Sequence, residues 1–268
     1  MAVMDEFKEE RAKVKEMSLR EKIDHFVYYH KVGIMLTALV VFLAVIGIYD
    51  AVTGQDSALY IAMIDCISNN YSGQSGESYE TALAEQLDID TKSYMVVLDN
   101  SFVLSAAEYA ADESVYQLPE MLYTRLATGQ LHAFMAQEST INGWVMNDGF
   151  LDLREEMTPE QYEYYKDSFY WIDYDILENY ELDFDTGAYV YNEDHRSPEG
   201  MKNPMPVGVY ITPSENEDFQ DNYTFLYDQE IVYCLTYTTH KDDEAYNGTQ
   251  LALDYLDILS GRTAETAE

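Results

Sequence analysis

The chain has 268 residues, of which 47% are apolar and 24% are charged, with 13 glycines and 6 prolines. This balance is typical of a globular protein and excludes collagen, low-complexity chains and wholesale disorder. Two cysteines exclude a disulfide-dense scaffold and a multi-cysteine metal centre, and a net charge of −35 excludes nucleic acid as a partner because the chain repels phosphate backbones.

The first predicted element is a membrane-spanning helix over 32–49, an apolar run of 18 residues without a charge. Such a helix is about 27 Å long, close to the hydrocarbon thickness of a bilayer. Seven lysines and arginines lie within 1–31 and the next is Lys92, so the positive-inside rule predicts a cytoplasmic N-terminus. A cleaved signal peptide is disfavoured because the segment before the run is too long. We therefore expect a single-pass protein of the cell membrane.

The segments on either side of this run complete the predicted domain organisation. Residues 1–31 form a cytoplasmic tail and a juxtamembrane helix, which begins at Leu19 because Ser18 and Glu21 match a capping box. The C-terminal side is divided into three parts: a tether over 50–57, an extracytoplasmic α/β domain over 58–261 and a disordered tail over 262–268.

The extracytoplasmic part begins with alternating strand-like and helix-like segments. Continuous apolar runs predict three strands buried on both faces, at 59–64, 94–98 and 131–136. Helical patterns at 78–87 and 118–126 separate them, and this βαβαβ order predicts parallel pairing with right-handed crossovers. Shorter helices, further strands and a closing helix follow at 140–147, 158–166, 169–174, 188–191, 207–211, 231–237 and 245–259. The predicted fold is a three-layer α/β domain with a mixed, largely parallel sheet.

Three stretches of the sequence resemble extracellular solute-binding proteins of ABC transporters. They are 124–136, where a helix ends at a glycine before a strand, 147–153, and the closing strand and helix over 232–256. The segment 26–31 before the apolar run is similar to that of single-pass membrane proteins of Gram-positive bacteria. The resemblance implies a domain similar to one lobe of a periplasmic-binding-protein-like fold.

A ligand site is predicted where the first three strands end, since ligands of open α/β sheets bind at the carboxyl ends of parallel strands. The helix after the third strand adds free N–H groups, which favour an anion or a carbonyl oxygen. Polar loop residues are also the ordinary consequence of solvent exposure. The candidate ligand-binding residues are Asp65, Asn69, Asn100, Ser101, Gln137, Glu138 and Thr140.

Aromatic residues and cysteines give two further predictions. The sequence has 25 tyrosines, and the best candidates for an exposed aromatic patch are Tyr164, Tyr165, Tyr170 and Trp171. Such rings either bind a ligand or a partner, or serve as half-buried strand residues. Cys66 and Cys234 either form a disulfide outside the cell or remain two buried small apolar residues.

Function classes are narrowed by the motifs that the sequence lacks. It contains no G-x-S-x-G, H-E-x-x-H or P-loop motif, and we predict no catalytic residue, no metal and no cofactor. The leading hypothesis is a membrane-anchored, non-enzymatic recognition domain for a small solute, a peptide or a neighbouring membrane protein. The alternative is an accessory subunit of a transporter-type membrane complex, and the third choice is an enzyme directed at the cell wall.

Overall fold

The computed structural model describes ten segments of the chain. They are 18–53, 55–69, 78–103, 117–145, 149–175, 180–182, 189–191, 194–227, 230–237 and 246–262. The predicted cytoplasmic tail up to residue 17 and, of the predicted disordered tail over 262–268, residues 263–268 lie outside these segments. Two compact units divide the chain, Met1–Gly54 and Gln55–Glu268.

The first unit contains helix α1, Leu19–Thr53. Its predicted start is confirmed, because the Ser18 backbone N–H and hydroxyl both donate to Glu21 Oε2 at 2.8 Å. Its apolar run exposes Val32, Met35, Leu36, Leu39, Val40, Val41, Phe42, Leu43 and Val45. Taken over the described residues alone, none of the helices combines the length and the apolar character that a membrane span needs.

Regular structure reaches into the segment 50–57 that was predicted as a tether. Helix α1 continues to Thr53, and the first strand already begins at Asp56. The physical reason is that residues 50–53 contain neither glycine nor proline, so nothing in them ends the helix.

The second unit alternates strands and helices along the described chain. Its strands are β1 Asp56–Met63, β2 Cys66–Ser68, β3 Tyr94–Asp99, β4 Ala133–Ala136, β5 Phe169–Asp173, β6 Tyr180–Leu182, β7 Tyr189–Tyr191, β8 Pro204–Ile211, β9 Tyr223–Phe225 and β10 Ile231–Leu235. Its helices are α2 Tyr79–Gln86, α3 Gln117–Ala127, α4 Glu138–Trp144, α5 Leu153–Glu156, α6 Pro159–Tyr165, α7 Glu217–Asn222 and α8 Gly248–Leu259. These bounds confirm the predicted strands and helices to within a few residues.

Six strands form the main sheet, in the order β3-β1-β4-β10-β8-β5. Strand β1 pairs in parallel with β3 and β4, whereas the three remaining pairs are antiparallel. The fold is therefore α/β with a mixed sheet, as predicted, but the sheet is only partly parallel. Parallel pairing needs a crossover connection, usually a helix, and the described residues between β5 and β8 contain no helix.

The core lies on both faces of this sheet, as side-chain alternation requires. On β1, Ile61 and Met63 pack into a cluster with α2, α6 and α8, while Ala62 and the next residue after the strand, Ile64, pack into a second cluster with α3 and α4. The unit therefore has three layers, with the sheet in the middle.

The two cysteines lie in different clusters, which corrects the disulfide prediction. Cys66 packs on the α8 side and Cys234 on the α3 side, and both are free and buried. Cys66 lies on β2, which pairs with β9 in a separate two-stranded sheet, whereas Cys234 lies on β10 of the main sheet. The other alternative, two buried apolar residues, describes the structure.

Candidate functional site

The three strands that the predicted ligand-binding residues were expected to follow end at one edge of the main sheet, which we call the upper edge. The register places Ala62 beside Asp99 and Met63 beside Met135, so β1, β3 and β4 end together. Because Val232 pairs with both Ala136 and Tyr210, the end of β8 lies at the same edge. We call β3, β1 and β4 the parallel half of the sheet, and β10, β8 and β5 the antiparallel half.

The upper edge of the parallel half is occupied by the chain itself. Asp65 is 5% exposed, its N–H donates to the Phe102 carbonyl at 2.9 Å, and its carbonyl accepts the Leu226 N–H at 2.9 Å. The Asn69 side chain donates to the Gln220 carbonyl at 2.8 Å and stabilises the pairing of β2 with β9. These groups are used for internal hydrogen bonds rather than presented to a ligand.

The remaining predicted residues have different surroundings. The Ser101 N–H donates to Asp99 at 3.0 Å, Asn100 is half-buried, and the Thr140 N–H donates to the Gln137 carbonyl in the first turn of α4. Gln137 Nε2 is buried and makes no hydrogen bond. None of the seven predicted side chains lines the cavities described below.

The upper edge of the antiparallel half contains a cavity of about 750 Å³, which we call the upper cavity. It lies where β8 ends, where β10 begins and beside the ends of α6 and α8. Its aromatic and polar lining includes Tyr164, Tyr165, Tyr210, Ser260 and four carboxylates, Glu215, Glu217, Asp218 and Glu230. Among the described residues that line it, none is a lysine or an arginine.

Helix α6 is held firmly against α8 at one wall of this cavity. The predicted capping box is confirmed, since the Gln161 N–H donates to Thr158 Oγ1 at 3.2 Å and the Thr158 N–H donates to Gln161 Oε1 at 3.1 Å. Gln161 and Tyr165 then donate to the two oxygens of Asp257, at 3.0 and 2.8 Å. The sequence signal for α6 therefore also positions one wall of the cavity.

Tyr210 is one of two buried tyrosines that line the upper cavity, with 7% of its surface exposed. The Arg196 guanidinium lies 3.9 Å from its ring centroid and donates to Glu230 Oε2 at 2.5 Å. The Glu138 carboxylate is the close charged neighbour of the buried Tyr210 hydroxyl. The chain thus places a cation between a tyrosine ring and a carboxylate at the rim of the cavity.

Burial determines the charge state of the aromatic lining. Burial raises the pKa of Tyr210, and the nearby Glu138 carboxylate raises it further. Burial also raises the pKa of Tyr165. Both tyrosines are therefore neutral at physiological pH, and the negative charge of the upper cavity comes from its carboxylates.

A second cavity of about 830 Å³, which we call the side cavity, adjoins the upper cavity. The two share Asn216, Asp218 and Gly261 in their linings. The side cavity adds the carboxylates of Asp88, Glu160, Asp254 and Asp257, together with Arg262, which donates to Asp257. Burial, followed by repulsion from Asp257, raises the pKa of Asp254.

The aromatic-patch prediction is wrong for two of its four members. Tyr165 and Tyr170 are 3% and 0% exposed, because they pack into the clusters on opposite faces of the sheet. Trp171 is half-buried and stacks edge-on against Phe169, whereas Tyr164 is 53% exposed and lines the upper cavity. Only Tyr164 contributes a mainly exposed ring.

The residues that sequence reasoning missed come from the second half of the domain. Glu215, Glu217, Asp218 and Glu230 lie in loops and in the first turn of α7, among many other acidic residues of the chain. The only local signal was Asn216, which caps α7 by accepting the Phe219 N–H at 3.0 Å. Among the described residues, no group of three histidine, cysteine or acidic side chains has the arrangement of a metal site.

Comparisons of the chain with protein-family models, with curated proteins and with solved structures find no match. The resemblance to solute-binding proteins therefore stays a prediction. What the described residues define is an α/β domain with an acidic, tyrosine-lined cavity at one end of its sheet.

Proposed function

We propose that this protein is a membrane-anchored, extracytoplasmic recognition domain that binds a small solute or a peptide in the upper cavity. The observation that carries the proposal is the position and size of this cavity. It lies at the sheet edge where β8 ends, which resembles the position that open α/β sheets use for ligands. Its volume of about 750 Å³ falls within the range of small-molecule sites.

The chemistry of the lining supports recognition rather than catalysis. An activated nucleophile needs a neighbouring base or a lowered pKa. The pKa values of Tyr165 and Tyr210 are raised instead, and the described lining of the upper cavity has no histidine or cysteine. A cell-wall-directed enzyme is therefore supported less well than a binding protein.

Membrane anchoring is supported by the uncharged run over 32–49 and by the exposed apolar side chains that the structure describes within it. Water disfavours such a surface, whereas lipid tails accept it. The basic residues before the run support a cytoplasmic N-terminus. We also propose that the extracytoplasmic domain is similar to one lobe of a solute-binding protein.

The alternative, an accessory subunit of a membrane complex, is supported by one surface feature. Helix α3 exposes 46% of Met121 and 51% of Tyr123 beside a shallow cavity that Trp144 also lines. Apolar and aromatic side chains of this kind are enriched at protein interfaces.

The anchoring and the orientation can be tested on membranes and on intact cells. Anchored protein stays with membranes during washing at alkaline pH, and external protease removes the domain after residue 58 from intact cells. Release into the wash, or full protection of the domain from external protease, would contradict the proposal.

Ligand binding is tested by thermal unfolding of the full chain in lipid nanodiscs with panels of sugars, amino acids and peptides. A ligand of the cavity raises the unfolding temperature, because binding to the folded state alone stabilises it. Tyr164→Ala should remove the shift, whereas Tyr227→Ala, at a similarly exposed ring outside the cavity, should keep it. A shift that both variants keep would place the ligand elsewhere.

A further inference from the structure

We infer that a singly charged carboxylate group binds beside Arg125, in a cavity of about 500 Å³ on helix α3 that we call the Arg125 cavity. The residues that line this cavity are Glu120, Met121, Thr124, Arg125 and Gln130. None of them lines the upper cavity, so the inference goes beyond the proposed function and does not depend on it. Two sources have this chemistry, a small free carboxylic acid and the carboxyl terminus of a peptide.

The first argument is that Arg125 differs from the other arginines of the second unit. The structure describes four arginines there, and three of them pair directly with a carboxylate: Arg154 with Asp152, Arg196 with Glu230 and Arg262 with Asp257. Among the described residues, Arg125 has no carboxylate within ion-pair distance. In a chain with 15 basic and 50 acidic residues, a cation without its own carboxylate is a candidate for binding one from outside.

The second argument is that the Arg125 guanidinium is already held in place. Its Cζ lies 4.9 Å from the centroid of the Tyr60 ring, and its Nη1 donates to the Tyr60 hydroxyl. That hydroxyl donates in turn to Asp99 Oδ2, and Asp99 also accepts the Ser101 N–H at 3.0 Å. Because strands β1 and β3 fix the guanidinium before a ligand arrives, binding costs less conformational entropy.

The third argument is that donors remain available beside the cavity. The bond to Tyr60 uses one of the five N–H groups of Arg125, and the others have no acceptor among the described residues. Gly129 ends α3 with a φ of +65°, and the Gln130 N–H then donates to the Arg125 carbonyl at 3.0 Å, which brings the Gln130 amide into the same lining. A guanidinium edge donates two parallel bonds to a carboxylate, and the amide can donate a third.

The surrounding charge favours a singly charged group over a doubly charged anion. In the described lining, Arg125 is the one positive side chain and Glu120 is negative. One cation balances one negative charge of a ligand, and the net charge of −35 on the chain disfavours a second. Met121, which is 46% exposed, offers an apolar contact to the rest of the ligand. The cavity therefore fits a monocarboxylate that carries a small apolar group.

The test is a titration of the full chain in nanodiscs of zwitterionic lipid, followed by ligand-observed NMR. The probes are N-acetyl-leucine, N-acetyl-leucinamide, the peptide acetyl-Ala-Ala-Leu with a free carboxyl terminus, and inorganic sulfate. We expect N-acetyl-leucine to bind at least about 10-fold more tightly than its amide, because only the acid forms charge-assisted hydrogen bonds with Arg125. Binding of the peptide at least about 3-fold more tightly than N-acetyl-leucine identifies a peptide terminus as the source, and otherwise the source is a small acid.

Variants place the binding beside Arg125. Arg125→Gln should weaken the binding of N-acetyl-leucine about 10-fold or more, as loss of a hydrogen-bonded charge does. Arg154→Gln makes the same change at an arginine outside this lining and should alter binding less than about 2-fold. Should Arg125→Gln lower the unfolding temperature, Arg125→Lys keeps the charge without the paired N–H groups and should weaken binding about 3-fold, as loss of one hydrogen bond does.

Three results would overturn the inference: N-acetyl-leucine binds no more tightly than its amide, sulfate binds more tightly than N-acetyl-leucine, or Arg154→Gln weakens binding as much as Arg125→Gln. The upper cavity takes no part in these titrations. The proposed function is tested separately by Tyr164→Ala, so its failure and the failure of this inference are distinguishable.

Discussion

The two halves of the main sheet end at the same upper edge but use it differently. In the parallel half, the Asp65 backbone bonds Phe102 and Leu226, and the side chain of Asn69 bonds the Gln220 carbonyl. In the antiparallel half, the ends of β8 and β10 border an acidic cavity of about 750 Å³. A sheet edge is therefore available for a ligand only where the chain's own backbone and side chains leave it open.

Connectivity explains the difference. Strand β9 follows α7 directly and pairs with β2 immediately after β1, so a late segment of the chain closes the edge of the early strands. Beside β8 and β10 the neighbouring segments are helix ends and loops whose carboxylates line the upper cavity.

The substitution that we expect to reduce stability most is at Phe134, in β4, where the two halves of the main sheet meet. Its ring lies 5.8 Å from that of Trp144 and 6.0 Å from that of Phe150, and it is fully buried. Phe134→Ala should lower the free energy of unfolding by about 3–5 kcal/mol, as loss of a buried aromatic ring does. Denaturant unfolding followed by tyrosine fluorescence measures this.

The control for Phe134 is Tyr123→Ala, at an exposed ring of α3, which should change stability by less than about 0.5 kcal/mol. A small effect of Phe134→Ala would show that β4 does not join the two halves energetically.

The second effect is at Asp173, which ends β5 in the antiparallel half and is fully buried. Its carboxylate accepts the backbone N–H groups of Lys202 at 2.8 Å and Asn203 at 3.0 Å. Asp173→Ala leaves these donors without their acceptor and should lower the free energy of unfolding by about 2–3 kcal/mol. Thermal unfolding compared with Asp175→Ala, at an exposed carboxyl two residues away, measures the difference. Equal losses in the two variants would contradict this assignment.

The predicted strands came directly from the residues that form the core. The apolar runs over 59–64 and 131–136 contain strand residues of β1 and β4, and every side chain in them except the half-buried Tyr60 is buried. The capping boxes at Ser18 and Thr158 gave helix starts that the structure confirms. These strands and helix starts depend on residues that are close together in the sequence, so they could be predicted from it.

The pairing of the strands and the position of the cavity could not be predicted in the same way. Nothing near Tyr223 shows that β9 pairs with Cys66 and its neighbours and closes the predicted edge, because that contact joins residues far apart in the sequence. Likewise, the sequence around Glu215 and Glu230 does not distinguish them from the other acidic residues of the chain, and only the fold brings them together in the lining of the upper cavity.

A third prediction concerns the close packing between β8 and β10 in the antiparallel half. A methyl group added at Gly208 would lie 2.6 Å from Val232 Cγ1 and 3.1 Å from the Tyr233 carbonyl oxygen. Gly208→Ala should therefore destabilise the protein by about 1–3 kcal/mol, as overpacking does. Gly143→Ala, in α4 with open space around it, should instead be neutral or stabilise by up to about 1 kcal/mol. Unfolding temperatures that move in the same direction would contradict the packing argument.

The smallest expected effect is a dependence of the free energy of unfolding on pH, which originates at His195 beside the antiparallel half. The ring is 1% exposed, stacks on Tyr170 at 4.5 Å, and its Nδ1 lies 2.7 Å from the Trp171 carbonyl oxygen. Burial lowers its pKa below the ordinary value of 6.5, although the Trp171 carbonyl and the carboxylates of Glu138 and Asp194 act in the opposite direction.

Because the unfolded chain binds this proton more readily than the folded protein does, stability is complete above about pH 6.5 and falls as the pH drops from there towards the folded pKa. His195→Gln removes the titrating group, so the loss of stability between pH 7.5 and pH 5 should be smaller in the variant. Denaturant unfolding of both proteins at both pH values measures it, and the comparison cancels the titration of the carboxylates that they share. An equal loss in the two proteins would show that the antiparallel half does not hold His195 in its neutral form.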